Sequence, residues 1–105
     1  MGKIVVKSYI ESCMTNAEGE KIRDLVLREQ TPIILDFVGL YGMTTSFANS
    51  LFVDILEMKG IDYLKSIDVL NITSGMKEVI LNRVRFEMER RNTLWETPYI
   101  WFMEL

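Results

Sequence analysis

The stretch Ile33-Ile34-Leu35-Asp36-Phe37-Val38, continued by Gly39-Leu40-Tyr41-Gly42-Met43-Thr44-Thr45-Ser46 and Phe47-Ala48-Asn49-Ser50-Leu51-Phe52, decides how the chain is read. Its first six residues are nearly continuous apolar sequence of strand-forming type. A strand apolar on both sides is expected in the middle of a sheet covered on both faces, as in parallel α/β architecture. Gly39 and Gly42 bracket a loop, and Thr44, Thr45 and Ser46 are each suited to cap a helix. Phe47, Ala48, Leu51, Phe52, Ile55, Leu56 and Met58 then follow at helical spacing, with Gly60 as a natural stop.

Upstream, Lys3–Ile10 is rich in Ile, Val and Tyr and reads as a first strand. Thr15-Asn16-Ala17-Glu18 has the capping-box pattern, in which hydroxyl and carboxylate each take one of the orphan amides of a helix start. The helix is predicted to run to Glu29, with Ile22, Leu25 and Val26 on its buried face, and to end before Thr31-Pro32. Downstream, Ser66–Ile72 reads as a strand. A last helix opens at Ser74 or Gly75 and runs to Arg91, with Met76, Ile80, Val84 and Met88 on one face. Glu87 and Arg91 are spaced for an ion pair along it. The order β-α-β-α-β-α predicts one sheet with right-handed crossovers.

The chain has 105 residues, 49% apolar and 26% charged, enough for one domain with a core of its own. Its net charge of −3 disfavours a general nucleic-acid binder, which needs surplus Lys and Arg to displace counterions from phosphate. Histidine is absent, which removes the commonest general base and the commonest transition-metal ligand. The single cysteine, Cys13, excludes an internal disulfide and a thiolate zinc site. With no histidine to activate it, Cys13 is read as a small residue in a loop or at a core edge. Met1–Ile10 interrupts its apolar residues with Lys3 and Lys7, so it does not read as a signal peptide, and a cytoplasmic location is expected.

Few residues offer chemistry. Asp36 lies near the C-terminal end of an apolar strand, the edge where open α/β sheets bind ligands. An aspartate there more often accepts backbone amides of the following loop. Asp68 reads as solvent-facing. Gly39-Leu40-Tyr41-Gly42 lacks both the Lys-Ser/Thr ending of a P-loop and the spacing of a dinucleotide fingerprint. Arg83, Arg85, Arg90 and Arg91 are interleaved with Glu87 and Glu89, which reads as a solvated helix face. In Thr44-Thr45-Ser46 one hydroxyl is a cap, and another would suit phosphorylation, because a helix N-terminus stabilises added negative charge.

Leu35-Asp36-Phe37, Gly39, Ser46-Phe47-Ala48 and Leu51-Phe52 together resemble the core motif of the STAS-like domain family, related to the domain of sulfate transporters and anti-sigma-factor antagonists. Thr15–Leu27 resembles its first helix and Ile67–Arg91 its later strand and helix. The resemblance implies a STAS-like fold and a non-enzymatic role as a protein-binding component. In anti-sigma-factor antagonists the loop entering the helix after the central strand docks on a kinase-like ATPase, and a serine there is phosphorylated to break the complex. Laid onto this chain, that motif falls at Thr44-Thr45-Ser46-Phe47, which puts Ser46 at the phosphoacceptor position. Thr44 stands in place of the motif's acid and Phe47 in place of its glycine.

The resulting expectation is a single STAS-like α/β domain over residues 1–105, with one mixed or mostly parallel sheet of about four strands and three helices packed on it. Its partner is expected to be a protein, a kinase-like ATPase or anti-sigma factor, met by Gly42, Met43, Thr44, Thr45, Ser46, Phe47, Asn49 and Ser50. No cofactor, metal, nucleic acid or membrane is expected to take part. In residues 94–105, Trp95, Tyr99, Trp101 and Phe102 read either as an extra strand covering a flank or as an interface segment, a homodimer included. The rival reading is a structural or host-interaction protein of a phage or other mobile element that uses this tail as its contact surface. A nucleotide-binding domain using the same strand edge ranks third, and an enzyme last.

Overall fold

The computed structural model describes residues 2–29 and 33–90. Three strands, β1 (Gly2–Val5), β2 (Ile33–Asp36) and β3 (Ile67–Leu70), form a sheet in the order β1-β2-β3, all parallel. The apolar strand is central, as its composition predicts. A fourth strand is not among the described residues, and the aromatic residues of 94–105 lie outside them.

Register sets the strands in rows: Gly2, Ile33 and Ile67; Lys3, Ile34 and Asp68; Ile4, Leu35 and Val69; Val5, Asp36 and Leu70. Successive side chains alternate between faces. The first and third rows therefore share the face that carries buried Ile4, Ile33, Leu35, Ile67 and Val69. On the opposite face Lys3 and Asp68 are exposed and Val5, Ile34 and Leu70 half-buried. Coverage of β2 on both faces, expected from its apolar run, is not found among the described residues. Parallel strands joined by right-handed crossovers in one direction across a sheet put their helices on one side, and on the other side Lys3 and Asp68 stay exposed.

The helices are α1 (Asn16–Arg28), α2 (Thr45–Ala48), a π-helical segment Asn49–Val53, α3 (Asp54–Lys59), α4 (Ile61–Lys65) and α5 (Ser74–Arg90). From 45 to 59 the helix is continuous, and it lies between α1 and α5. The spacing of Phe47 to Leu56 predicts this helix but not its π-helical middle, nor α4. Strand β1 ends five residues before the expected Ile10, because the Val6 carbonyl accepts from the amides of Tyr9 and Ile10 and turns the chain.

The seam between α1 and helix 45–59 is made by Gly19. A Cβ there would lie 2.7 Å from the Phe47 carbonyl oxygen and 2.9 Å from the Ser50 Cβ, so only glycine permits this approach. Phe47, Leu51, Phe52 and Ile55 are fully buried beneath it. Two polar clamps flank the helix: Arg23 Nη1 donates to Asp54 Oδ2 at 2.8 Å from α1, and Arg83 Nε donates to Asn49 Oδ1 at 2.6 Å from α5. On α5, buried Met76, Ile80, Val84 and Met88 form the expected face. Glu87 is buried and paired with Arg90, one position short of the expected Arg91, which lies outside the described residues.

Candidate functional site

Three loops leave the C-terminal ends of the strands: the β1–α1 loop through Thr15, the β2–α2 loop from Phe37 to Thr44, and the β3–α5 loop through Thr73. Each is tied to the next. Thr44 caps helix 45–59 by accepting from the Phe47 amide at 3.2 Å, while its hydroxyl donates to the Met14 carbonyl at 2.8 Å and its amide to the Cys13 carbonyl at 3.0 Å. Thr73 repeats the device, accepting from the Met76 amide at 3.1 Å and donating to the Tyr41 carbonyl at 3.4 Å. A threonine suits both positions because its hydroxyl donates and accepts at once. Among the three candidates 44–46, the cap is therefore Thr44.

The expected capping box is present. Thr15 Oγ1 accepts from the Glu18 amide, and the Glu18 carboxylate accepts from the Thr15 amide. The carboxylate reaches further than the pattern requires, to the Ser12 hydroxyl and amide and the Met14 amide. Desolvation opposes its ionisation, yet these hydrogen bonds, led by the Ser12 hydroxyl, hold its pKa below the usual value. One acidic side chain thus folds the first loop.

Asp36 does the same for the other two. Its Oδ1 accepts from Asn71 Nδ2 at 2.8 Å and from the Val38 amide at 3.0 Å, and Oδ2 lies 3.5 Å from Lys3 Nζ. The Asn71 bond is the largest cause of its lowered pKa, helped by the Val38 amide and Lys3 against the cost of burial. Asn71 has φ +58°, a left-handed turn that asparagine tolerates. Gly39, with φ +83°, makes the neighbouring turn in the β2–α2 loop. Asp36 Oδ1 serves the two loops and Oδ2 faces Lys3 of β1, so the geometry fits the capping role. Cys13 is buried, and desolvation, with the Glu18 charge second, pushes its thiol up to about 12. A thiol so raised stays protonated and is a poor nucleophile at neutral pH.

These ties hold an apolar surface outward. Of the six large hydrophobic side chains exposed among the described residues, Tyr9, Met14, Val38 and Tyr41 all lie on the first two loops, and Tyr41 is 79% exposed. Scattered surface hydrophobics are ordinary, but here four of the six fall on two loops at the same edge of the sheet. Met14 packs toward Gly42, whose Cβ, were there one, would meet Met14 Cε at 3.3 Å. The sequence reading named none of these four residues as contacts. Tyr9 and Val38 fall within segments whose composition reads as strand, and only Met14 and Tyr41 stand outside the strand and helix patterns.

The residues that the sequence pattern places at the partner contact divide by burial. Thr45 is exposed, while Gly42, Thr44 and Ser46 are half-buried at the rim. Met43, Phe47 and Ser50 are buried, with Phe47 stacked edge-on against Phe37 at a centroid distance of 6.5 Å. Asn49 is half-buried and bonded to Arg83. Trp95, Tyr99, Trp101 and Phe102 lie outside the described residues. Among the described residues no helix is long and apolar enough to cross a membrane.

A family described as a STAS-like domain of unknown function matches residues 18–76, from the first turn of α1 into the first turn of α5. No curated protein and no solved structure matches the chain.

Proposed function

The chain belongs to this STAS-like family, and from that premise we propose that it is a non-enzymatic interaction domain docking on a protein partner through the loop rim at the C-terminal edge of its sheet. The observation that carries this reading is the exposed set Tyr9, Met14, Val38 and Tyr41, held in place by Thr44, Thr73, Glu18 and Asp36. A partner meets side chains whose loops are already ordered, so little conformational entropy is lost on binding. The docking set expected from sequence narrows to Gly42, Thr45 and Ser46 and gains these four apolar residues. Met43, Phe47 and Ser50 support it from below. A kinase-like ATPase or anti-sigma factor is the partner class, and the protein acts in the cytoplasm. Ser46, in the first turn of the helix, is the phosphoacceptor. A phosphate there adds about −1.5 to −2 charges at the border of an apolar contact and would expel the partner.

Calorimetric titration of the full chain with kinase-like ATPases and anti-sigma factors from the same genome tests the reading. Saturable binding that weakens about 30-fold in Tyr41→Ala, the loss of about 2 kcal/mol typical of an interface aromatic, is the expected result. Binding that ignores both Tyr41→Ala and Met14→Ala sinks it. For Ser46, incubation of the partner with ATP followed by mass spectrometry should find phosphate that Ser46→Ala abolishes.

A further inference from the structure

The face of the sheet that leaves Lys3 and Asp68 exposed carries a pattern complementary to itself. In the row Lys3, Ile34, Asp68 a cation sits on one edge strand, an apolar residue on the central strand and an anion on the other edge strand. Consider a two-fold axis parallel to the strands and lying between two such faces. It sets β1 of one copy over β3 of the other, and β2 over β2. Lys3 then meets Asp68 of the second copy, Asp68 meets Lys3 of the second copy, and the two Ile34 side chains meet on the axis. In the adjacent row Val5 meets Leu70 of the second copy. An isologous interface requires this kind of self-matching, in which residue i meets j and j meets i.

We propose that two copies of this chain associate through this sheet face, with reciprocal Lys3–Asp68 pairs on either side of an Ile34–Ile34 contact and reciprocal Val5–Leu70 contacts in the next row. In the Lys3 row the exposed charges stand on the edge strands and the half-buried Ile34 on the central strand, and in the next row the half-buried Val5 and Leu70 stand on the edge strands. Asp36 also lies on this face, near the axis. Its carboxylate is bonded to Asn71 and the Val38 amide and faces Lys3, so its charge is met within its own chain. The Lys3 side chain is 54% exposed and its ammonium has three donors, so it can take a second carboxylate while keeping Asp36. Packed sheets lie about 10 Å apart, a gap that a lysine and an aspartate close from opposite sides. Asp36 is common to this face and to the support of the docking rim, whereas Lys3 and Asp68 make none of the loop ties described for the rim.

Sedimentation of the full chain over a range of concentrations, at low and high salt, tests the proposal with Lys3→Glu, Asp68→Lys and the double exchange. The expected result is a reversible dimer that salt weakens, a rise in Kd of at least about tenfold for each single reversal, and recovery to within about threefold of the starting Kd in the double exchange. Both positions are exposed, and circular dichroism verifies that each variant is folded. A monomer at every concentration overturns the proposal, including the case in which residues 94–105 of the same chain occupy the face. A dimer indifferent to both reversals overturns it, and so does one that single reversals weaken but the double exchange does not restore.

Discussion

The β2–α2 loop and the helix it enters are neighbours in sequence, yet they solve opposite problems. Below the cap, helix 45–59 is closed in: Gly19 admits α1 to its backbone, Arg23 and Arg83 bridge to it from either side, and Phe47, Leu51 and Phe52 are fully buried. Above the cap, hydrogen bonds hold the loops while Val38 and Tyr41 project into solvent. The seam spends its apolar residues on stability, and the rim keeps its own free. Rigidity in the rim comes from polar ties, which do not consume the surface they support.

That contrast is open to direct attack. Phe47→Ala should cost most, about 3–5 kcal/mol, because it empties a fully buried site next to Phe37; chemical denaturation measures it. Gly19→Ala comes next. The new methyl meets the Phe47 carbonyl, and overpacking of this kind costs about 1–3 kcal/mol, against which the better helix propensity of alanine returns about 1 kcal/mol. A stabilised Gly19→Ala protein would mean that the seam is looser than described.

Asp36→Asn should lower stability by about 1–2 kcal/mol at neutral pH, through its charge-assisted bonds to Asn71 and Val38. The folded pKa of Asp36 lies below its unfolded value of about 3.9. Its contribution is therefore fully present above that value and lost as pH falls through the folded pKa. The difference between the parent and Asp36→Asn should hold constant from pH 7 to about 5 and shrink below about 4, as urea titrations at each pH would reveal. Smallest is Tyr41→Ala, expected to move stability by no more than about 0.5 kcal/mol. A large loss there would make Tyr41 part of the core and not of a docking surface.

Much of the fold was legible because it rests on local signals. The capping box at Thr15 and Glu18, the apolar central strand, and the stripes on helix 45–59 and α5 are all short-range patterns, and all are present except that Met58, expected on the buried stripe, is 59% exposed. What escaped depends on contacts distant in sequence. The buried approach at Gly19 is set by Phe47 and Ser50, the cap at Thr44 is selected by the Met14 carbonyl, and the sheet face that leaves Lys3 and Asp68 exposed follows from the direction of both crossovers. The rim was half legible. Helical spacing located Thr45 and Ser46 at its border, but Tyr9 and Val38 read as strand residues, Met14 and Tyr41 as loop residues, and the four form a surface only where the first two loops meet.

The most direct test of the docking rim is amide chemical-shift mapping of the isotope-labelled chain as a kinase-like ATPase or anti-sigma factor that binds it is added. The account predicts that the largest changes fall on residues 9–14 and 38–46, with the outer face of α5 unmoved. Changes concentrated on α5, with the rim silent, would contradict it.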